Sequence, residues 1–303
     1  MKNDFKIIYI LGAGHSGSSL LDNIIGSSKE VFSVGELFYY DIYLNNKKGK
    51  KLIKNKICTC GKKIDDCDFW KNIKKKDLSV NKNEDLISSI KIMINIINLF
   101  EKLFCFNMEF PNNYTIYDSI FKEAKKKKED IKYILDSSKD PRRLYELIKD
   151  KSIDNQNIQI IHLVRDGRAY INSFQDKKRT NLKLKKKNML ICIFEWILIN
   201  LISKILIHKY KLKNINISYE KFTKNPIDTI EEINNKFEIS VNKNFLNYVN
   251  KTTYHNINGN VTRFNNLSKI VLNQKWKKNL NFFKKIISTV MLFPFNYIWV
   301  YKK

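Results

Sequence analysis

A chain of 303 residues that is 43% apolar and 13% aromatic can bury a sizeable core, which excludes a disordered polymer. The formal net charge of +26 brings polyanions into view as partners: nucleic acid, acidic glycans or anionic membrane. The lysines, however, fall in scattered runs at 47–56, 74–76, 125–128 and 183–187, as on a solvated surface. Zinc-finger spacing, an RNP-type strand and a basic region with heptads are all missing, so no nucleic-acid partner is expected.

In chain order, residues 6–11 (KIIYIL) form an apolar, β-favouring run bounded by glycines, the pattern of a buried strand. Residues 16–25 follow as a helix with Leu20, Leu21, Ile24 and Ile25 inward. Gly12, Gly14 and His15 interrupt the apolar start, so it does not read as a signal peptide, and a cytoplasmic chain is expected. Residues 42–85 are polar and irregular, and they contain Cys58, Cys60 and Cys67. A C-x-C pair with a third cysteine fits reduced thiols, a disulfide or a metal. A fourth ligand is missing nearby, and no metal-ligand set is assigned.

Residues 86–106 have helical apolar spacing, and 122–130 reads as an exposed helix. Strands are expected at 132–136 (KYILD), 159–164 (QIIHLV) and 214–219 (NINISY), followed by helices at 141–150, 168–176 and 226–237. Residues 189–210 carry Glu195, Asn200, Lys204 and His208 and read as a buried amphipathic helix. Residues 286–301, with Pro294 inside, are short for a membrane span. They fit either a core element or a tail in contact with a membrane. His162, inside an apolar strand, reads as core, and His255 as a loop residue. Four strands alternating with helices predict one α/β domain, a P-loop-type three-layer αβα fold with a central parallel sheet and helical insertions. Its ligands should lie at the carboxyl ends of the strands.

The chemistry concentrates in residues 12–19, GAGHSGSS. Glycines at 12, 14 and 17 let backbone N–H groups approach an anion, and the following helix directs its N-terminal dipole at it. The spacing nearly fits a Walker A loop, but Ser18 stands where the lysine belongs. That counts against ATP or GTP hydrolysis, although a P-loop kinase or NTPase stays as one alternative. A non-catalytic protein that binds polyanions or membrane is the other.

Further segments carry a resemblance. Residues 12–21, followed by Val34, Gly35 and Glu36, resemble the 5′-phosphosulfate loop of the sulfotransferase superfamily. LVRDGRA at 163–169, with Ser173, resembles its 3′-phosphate site. DSSKDP at 136–141, YEKF at 219–222 with Asn225 and Pro226, and GNVTRF at 259–264 with Trp276 agree in order. The GHSG loop is similar to that of bacterial-type sulfotransferases, which share the RDGR pattern with tyrosylprotein sulfotransferases. The resemblance implies 3′-phosphoadenosine-5′-phosphosulfate (PAPS) as co-substrate, released as PAP, with no metal expected. It implies a hydroxyl-bearing acceptor: a glycan, a lipid-linked sugar or a small molecule.

It also implies roles. Gly14, His15, Ser16, Gly17, Ser18 and Ser19 would hold the phosphosulfate; Arg165 and Ser173 the 3′-phosphate; Tyr219, Asn260 and Arg263 the rest of the nucleotide. Glu36 would be the general base, and Lys139 would offset charge on the leaving group. His15 stands where the family commonly has Arg or Lys; it is carried as a third catalytic candidate, with a charge that depends on pH. The whole chain reads as a single domain, with a variable acceptor-side insertion at about 40–130.

Overall fold

The computed structural model describes residues 4–40, 57–73, 116–150, 152–175, 186–264 and 266–302. Five strands form one parallel sheet: β1 (Lys6–Leu11), β2 (Val31–Gly35), β3 (Tyr133–Lys139), β4 (Ile158–Val164) and β5 (Lys213–Ser218). Their spatial order is β2-β3-β1-β4-β5. The central strand shows why KIIYIL has no polar residue after its lysine. Ile7, Tyr9 and Leu11 enter the core layer on one face and Ile8 and Ile10 the layer on the other, all fully buried. Full burial contributes about 1.5–3 kcal/mol for each such aliphatic side chain.

One face is covered by α1 (Ser18–Gly26), α7 (Pro226–Phe237) and α8 (Phe245–Val249), through Leu21, Ile24, Ile233, Phe237 and Phe245. The other is covered by α2 (Ile116–Lys125), α3 (Pro141–Lys149) and α5 (Met189–Lys209), through Ile120, Leu144, Leu147 and Leu206. α3 begins cleanly because Asp140 accepts the Arg142 N–H at 2.8 Å and Pro141 occupies the first turn. Between β4 and α5 lies α4 (Gly167–Gln175), and α6 (Tyr219–Lys224) follows β5 directly. The result is a three-layer αβα domain.

The structure corrects several expectations. The sheet has a fifth strand, β2 (VFSVG), where four were expected, with the polar Ser33 in its middle. Ser33 is nonetheless buried, with its hydroxyl donating to Asp22 at 2.5 Å. β3 runs on to Lys139, past the expected end at 136. The helix expected at 122–130 instead begins at Ile116 and stops at Lys125, where Lys127 and Lys128 turn back onto the Ala124 carbonyl. Much of the insertion expected at 40–130, including the helix at 86–106, lies outside the described residues. Residues 57–73 are described and pack into the core through Cys58, Ile64, Cys67, Phe69 and Trp70.

α5 buries Cys192, Ile193, Trp196, Ile202 and Leu206, but Leu190, Phe194 and Leu201 on its outer side are exposed. It is the one helix among the described residues long and apolar enough to cross a membrane, and 44% of its most apolar window is buried. His162 is core, as expected, with ring nitrogens 3.1 Å from the amide groups of Asn200 and Asn216; burial pushes it down to about 4. After the short α9 (Trp276–Asn279), α10 (Phe282–Asn296) contains Pro294 and passes into a π-helical turn at Tyr297–Tyr301. α10 buries Ser288, Leu292 and Asn296 along one stripe. It exposes Phe282, Phe283, Val290 and Phe293, each at least 65%.

Candidate active site

The glycine loop turns from β1 into α1 with backbone too close to its neighbours for side chains. A β-carbon at Gly12 (φ 144°) would lie 2.3 Å from the Leu163 carbonyl oxygen. One at Gly17 (φ 94°) would lie 2.5 Å from the Tyr219 ring. Gly14 faces open space. Gly17 caps α1 without a side-chain acceptor, so the helix presents its first-turn N–H groups and positive dipole end to the loop. Ser16 and Ser18 are buried, and the Ser16 hydroxyl has no hydrogen-bond partner among the described residues. His15 takes a left-handed backbone (φ 63°) and sets its exposed ring edge-on to Phe174 of α4, 5.2 Å away.

Arg165 leaves the carboxyl end of β4 and reaches straight to this loop. Its guanidinium donates to the His15 carbonyl at 2.9 Å and the Asn273 carbonyl at 2.6 Å, and it lies over the Tyr219 ring at 4.3 Å. Its Nε is buried without a partner among the described residues. Tyr219 is thus both core and site: it is 6% exposed and supports Arg165 and Gly17 together. Ser173 stands on α4, but its hydroxyl donates to its own helix at the Tyr170 carbonyl (2.6 Å) rather than toward Arg165. Arg168 is held by Asp166 (2.6 Å) and stacked on Trp276 (4.0 Å), so of the two arginines in RDGR only Arg165 touches the loop.

On the other side of the loop, Glu36 and Lys139 form an ion pair at the carboxyl ends of β2 and β3. Both are largely buried. Lys139 is held in a left-handed backbone (φ 70°) and also donates to the Ser137 carbonyl at 3.1 Å. Asn258 donates its side-chain amide to the second carboxylate oxygen of Glu36 at 3.1 Å. The segment continues through Gly259 to Asn260, whose N–H donates to the Ser19 hydroxyl at 3.3 Å. The open side of Gly259 faces Ser19 Oγ, Arg263 Nη1 and Glu36 Oε1, which lie 3.3–3.6 Å from where a β-carbon would be. Arg263 donates to the Ile57 carbonyl at 3.2 Å, while its Nε and Nη1 are buried without partners among the described residues. Ser19, Glu36, Lys139, Asn260 and Arg263 are therefore one cluster, and Gly12, Arg165 and Tyr219 join it through the loop.

Three further residues support the site, and of them only Glu220 lies in a segment, YEKF, that the sequence already marks. Asn258 is one. Asp22 of α1 accepts hydrogen bonds from Ser33, Ser137 and Asn256, tying together the strands that carry Glu36 and Lys139; burial raises it to about 7. Glu220 accepts the Asp166 N–H at 3.1 Å, and burial raises it to about 7 as well. Asn258 and Asp22 are polar residues in an unremarkable local context, and the partners of all three come from elsewhere in the chain. A cavity of about 740 Å³ lined by Ser27, Lys29, Phe32, Lys128 and Lys251 lies toward the amino ends of β2 and β3 and is not this site.

A glycine loop at a helix N-terminus, cations from two further strands and a paired carboxylate therefore meet at the carboxyl edge of the parallel sheet of an α/β protein. The particular fold is that of sulfotransferase domains. The chain is similar to the sulfotransferase domain from the Synechococcus PCC 7002 olefin synthase: 18% identity, 98% of this chain and 96% of that chain covered, TM-score 0.56. It is also similar to the sulfotransferase domain from the curacin biosynthetic pathway: 14% identity, 96% and 98% covered, TM-score 0.52. The sequence matches no family model and no curated protein.

Proposed function

We propose that the chain is a PAPS-dependent sulfotransferase. The observation that carries this reading is the Arg165–loop contact. A guanidinium from β4 is joined to the carbonyl of His15 in the glycine loop, so two phosphate-binding elements meet as a nucleotide with both a 5′- and a 3′-phosphate group requires. The buried, unpartnered Ser16 hydroxyl, Arg165 Nε and Arg263 Nε and Nη1 fit an anionic ligand, because such donors are costly to leave unmatched. The similarity in fold to sulfotransferase domains supports the same reading.

In this mechanism the amides of residues 14–19 hold the phosphosulfate. Arg165 holds the 3′-phosphate, with Ser173 able to join after rotating away from Tyr170. The acceptor oxygen bonds to sulfur as the bond from sulfur to the bridging oxygen breaks. Glu36 takes the acceptor proton, and Lys139 stabilises the negative charge that PAP carries away. The ion pair with Lys139 places the Glu36 carboxylate beside the cation that would face the leaving group. His15 sets its exposed ring edge-on to Phe174, and its catalytic part rests on the resemblance of its loop position alone.

The acceptor is a hydroxyl of a glycan, lipid-linked sugar or small molecule. The exposed aromatic face of α10, beside Lys277, Lys278, Lys284 and Lys285, favours a chain that works cytoplasmically against a membrane. Calorimetric titration with PAP, and separately with ATP and Mg²⁺, tests the nucleotide. PAP is expected to bind and ATP to fail. Tight ATP binding with no response to PAP would replace this reading with a nucleoside triphosphatase. A screen of cell extract with ³⁵S-labelled PAPS would then identify the acceptor.

A further inference from the structure

Behind the catalytic cluster, three cysteines from one short segment converge on a histidine far away in sequence. The ligand atoms of Cys58, Cys60, Cys67 and His255 all lie within 4.8 Å of one another. Cys60 Sγ is 3.6 Å from Cys67 Sγ, and His255 Nδ1 is 3.2 Å from Cys67 Sγ and 3.8 Å from Cys58 Sγ. A tetrahedral zinc ion with Zn–S of about 2.3 Å and Zn–N of about 2.0–2.1 Å has edges of about 3.8 Å between sulfurs and about 3.6 Å between sulfur and nitrogen. The three separations of 3.2–3.8 Å bracket those edges, and every other pair lies within 4.8 Å. The thiols are free, and Cys58, Cys67 and His255 are buried, with Cys60 partly so.

We propose that Cys58, Cys60, Cys67 and His255 form a structural zinc site. Three thiolates and one imidazole, with no carboxylate, are a soft donor set that selects zinc over magnesium or calcium. Four protein ligands leave no open position, so the role is to hold chain segments rather than to activate water. A disulfide would use two of the sulfurs and leave the third, with the imidazole, unexplained.

The surroundings are built to fix the ligands. The Cys58 N–H donates to the Lys62 carbonyl and the Gly61 N–H to the Cys58 carbonyl, both at 2.9 Å, closing a tight turn that presents the sulfurs at 58 and 60. A 3₁₀ turn at Ile64–Asp66 delivers Cys67. The His255 ring is stacked with Phe69 and Phe32, at centroid distances of 5.3 and 6.2 Å, and its carbonyl accepts the Trp70 indole N–H at 2.8 Å. The two segments are joined again one residue along, where the Thr59 N–H donates to the Asn256 carbonyl at 3.3 Å and the Asn256 N–H to the Thr59 hydroxyl at 2.7 Å. The His255 segment then runs through Ile257, whose carbonyl accepts the Glu36 N–H at 2.9 Å, to Asn258 on the Glu36 carboxylate. The metal would therefore clamp residues 57–67 onto the segment that aims Asn258, Asn260 and Arg263.

The test uses the full chain purified without added metal or nucleotide, so it stands apart from the sulfotransferase reading. Elemental analysis is expected to find about one zinc per chain, and zinc-edge X-ray absorption a shell of about three sulfurs and one nitrogen. Cys67→Ser and His255→Ala should lower metal content about tenfold or more, while Cys192→Ser keeps it. Because those variants can misfold, the wild-type chain stripped by chelator and kept reduced is also titrated with Co(II). A thiolate charge-transfer band saturating at about one equivalent is expected. A chain that carries no zinc and gives no such band overturns the proposal, as does a bound metal with no sulfur in its shell. A Cys60–Cys67 disulfide in the purified chain, with no Co(II) uptake after reduction, would also overturn it and point to a redox pair.

Discussion

Replacing Arg165 with alanine separates a phosphate-binding role from a purely structural one. The guanidinium has two nitrogens on the His15 and Asn273 carbonyls and a third, Nε, buried without a partner among the described residues. A charged hydrogen bond contributes about 1.5–3 kcal/mol, so a two-pronged contact to the 3′-phosphate gives about 3–6 kcal/mol in full. Arg165 is only half-buried, and water competes for the phosphate; about 2–4 kcal/mol is the expected share, or about 30- to 1,000-fold in affinity. Isothermal titration with PAP and with 5′-AMP, which lacks the 3′-phosphate, isolates that share as a ratio. The wild type should prefer PAP by about that factor, and Arg165→Ala should bring the ratio close to one. Arg165→Lys should fall between, because it keeps charge but loses the planar fork. General damage to the loop weakens both ligands equally and cancels in the ratio. If Arg165→Ala keeps the wild-type preference for PAP over AMP, the assignment of the 3′-phosphate to this residue is wrong.

Glu36→Gln keeps one acceptor oxygen, enough for Lys139, and removes the base. Turnover with the acceptor from the radiolabel screen should drop about 10²- to 10⁴-fold while PAP affinity stays within a few-fold; unchanged turnover would remove Glu36 from the mechanism. Asp22, raised from 3.8 to about 7 by burial, stabilises the fold below its unfolded pKa and loses that contribution as pH rises through the folded one. In urea melts between those two values, wild type should lose stability relative to Asp22→Asn as pH rises, with a ceiling of about 4 kcal/mol at about 1.4 kcal/mol per pH unit; a difference flat with pH would refute this. Phe283→Asp with Val290→Asp should reduce co-sedimentation with anionic vesicles without changing PAP affinity, since both side chains are exposed on α10. Undiminished binding would mean that this face does not contact the membrane.

The parts legible in the sequence are those whose cause is local. KIIYIL declares a strand covered on both faces because its neighbours impose no polar exception. The glycine loop is legible because backbone crowding by Leu163 and Tyr219 demands glycine at 12 and 17. Arg165 is legible because it follows directly on an apolar strand. The parts that were hidden depend on distant partners. Ser33 is a polar residue inside β2 whose partners, Asp22 and Asn256, come from α1 and from a segment more than 200 residues later. Ser173 matches its motif, yet its helix supplies a nearer acceptor, the Tyr170 carbonyl. His255 looks like a loop residue because its partner Cys67 lies 188 positions earlier.

The segment from His255 to Phe264 makes one further consequence unavoidable if both proposed sites are real. Three residues separate His255, in the cysteine cluster, from Gly259, which faces Ser19, Glu36 and Arg263. The Arg263 side chain also donates to the Ile57 carbonyl, beside Cys58, so the two sites are joined at two points. A metal that orders this segment removes part of the ordering cost that PAP would otherwise bear, which makes the two ligands cooperative. Linkage requires the effect to be equal in both directions. If stripping zinc weakens PAP by some factor, saturating PAP must strengthen zinc retention by the same factor. Both are measurable on one preparation, by calorimetry on the metal-free chain and by competition with a chelator of known affinity. A coupling of about 1–3 kcal/mol, or about 5- to 150-fold, is the expected scale. A PAP affinity identical in zinc-loaded and zinc-free chains would show that the segment is already ordered by its backbone pairing to β2 and by Asn258, and that the clamp does not reach the nucleotide.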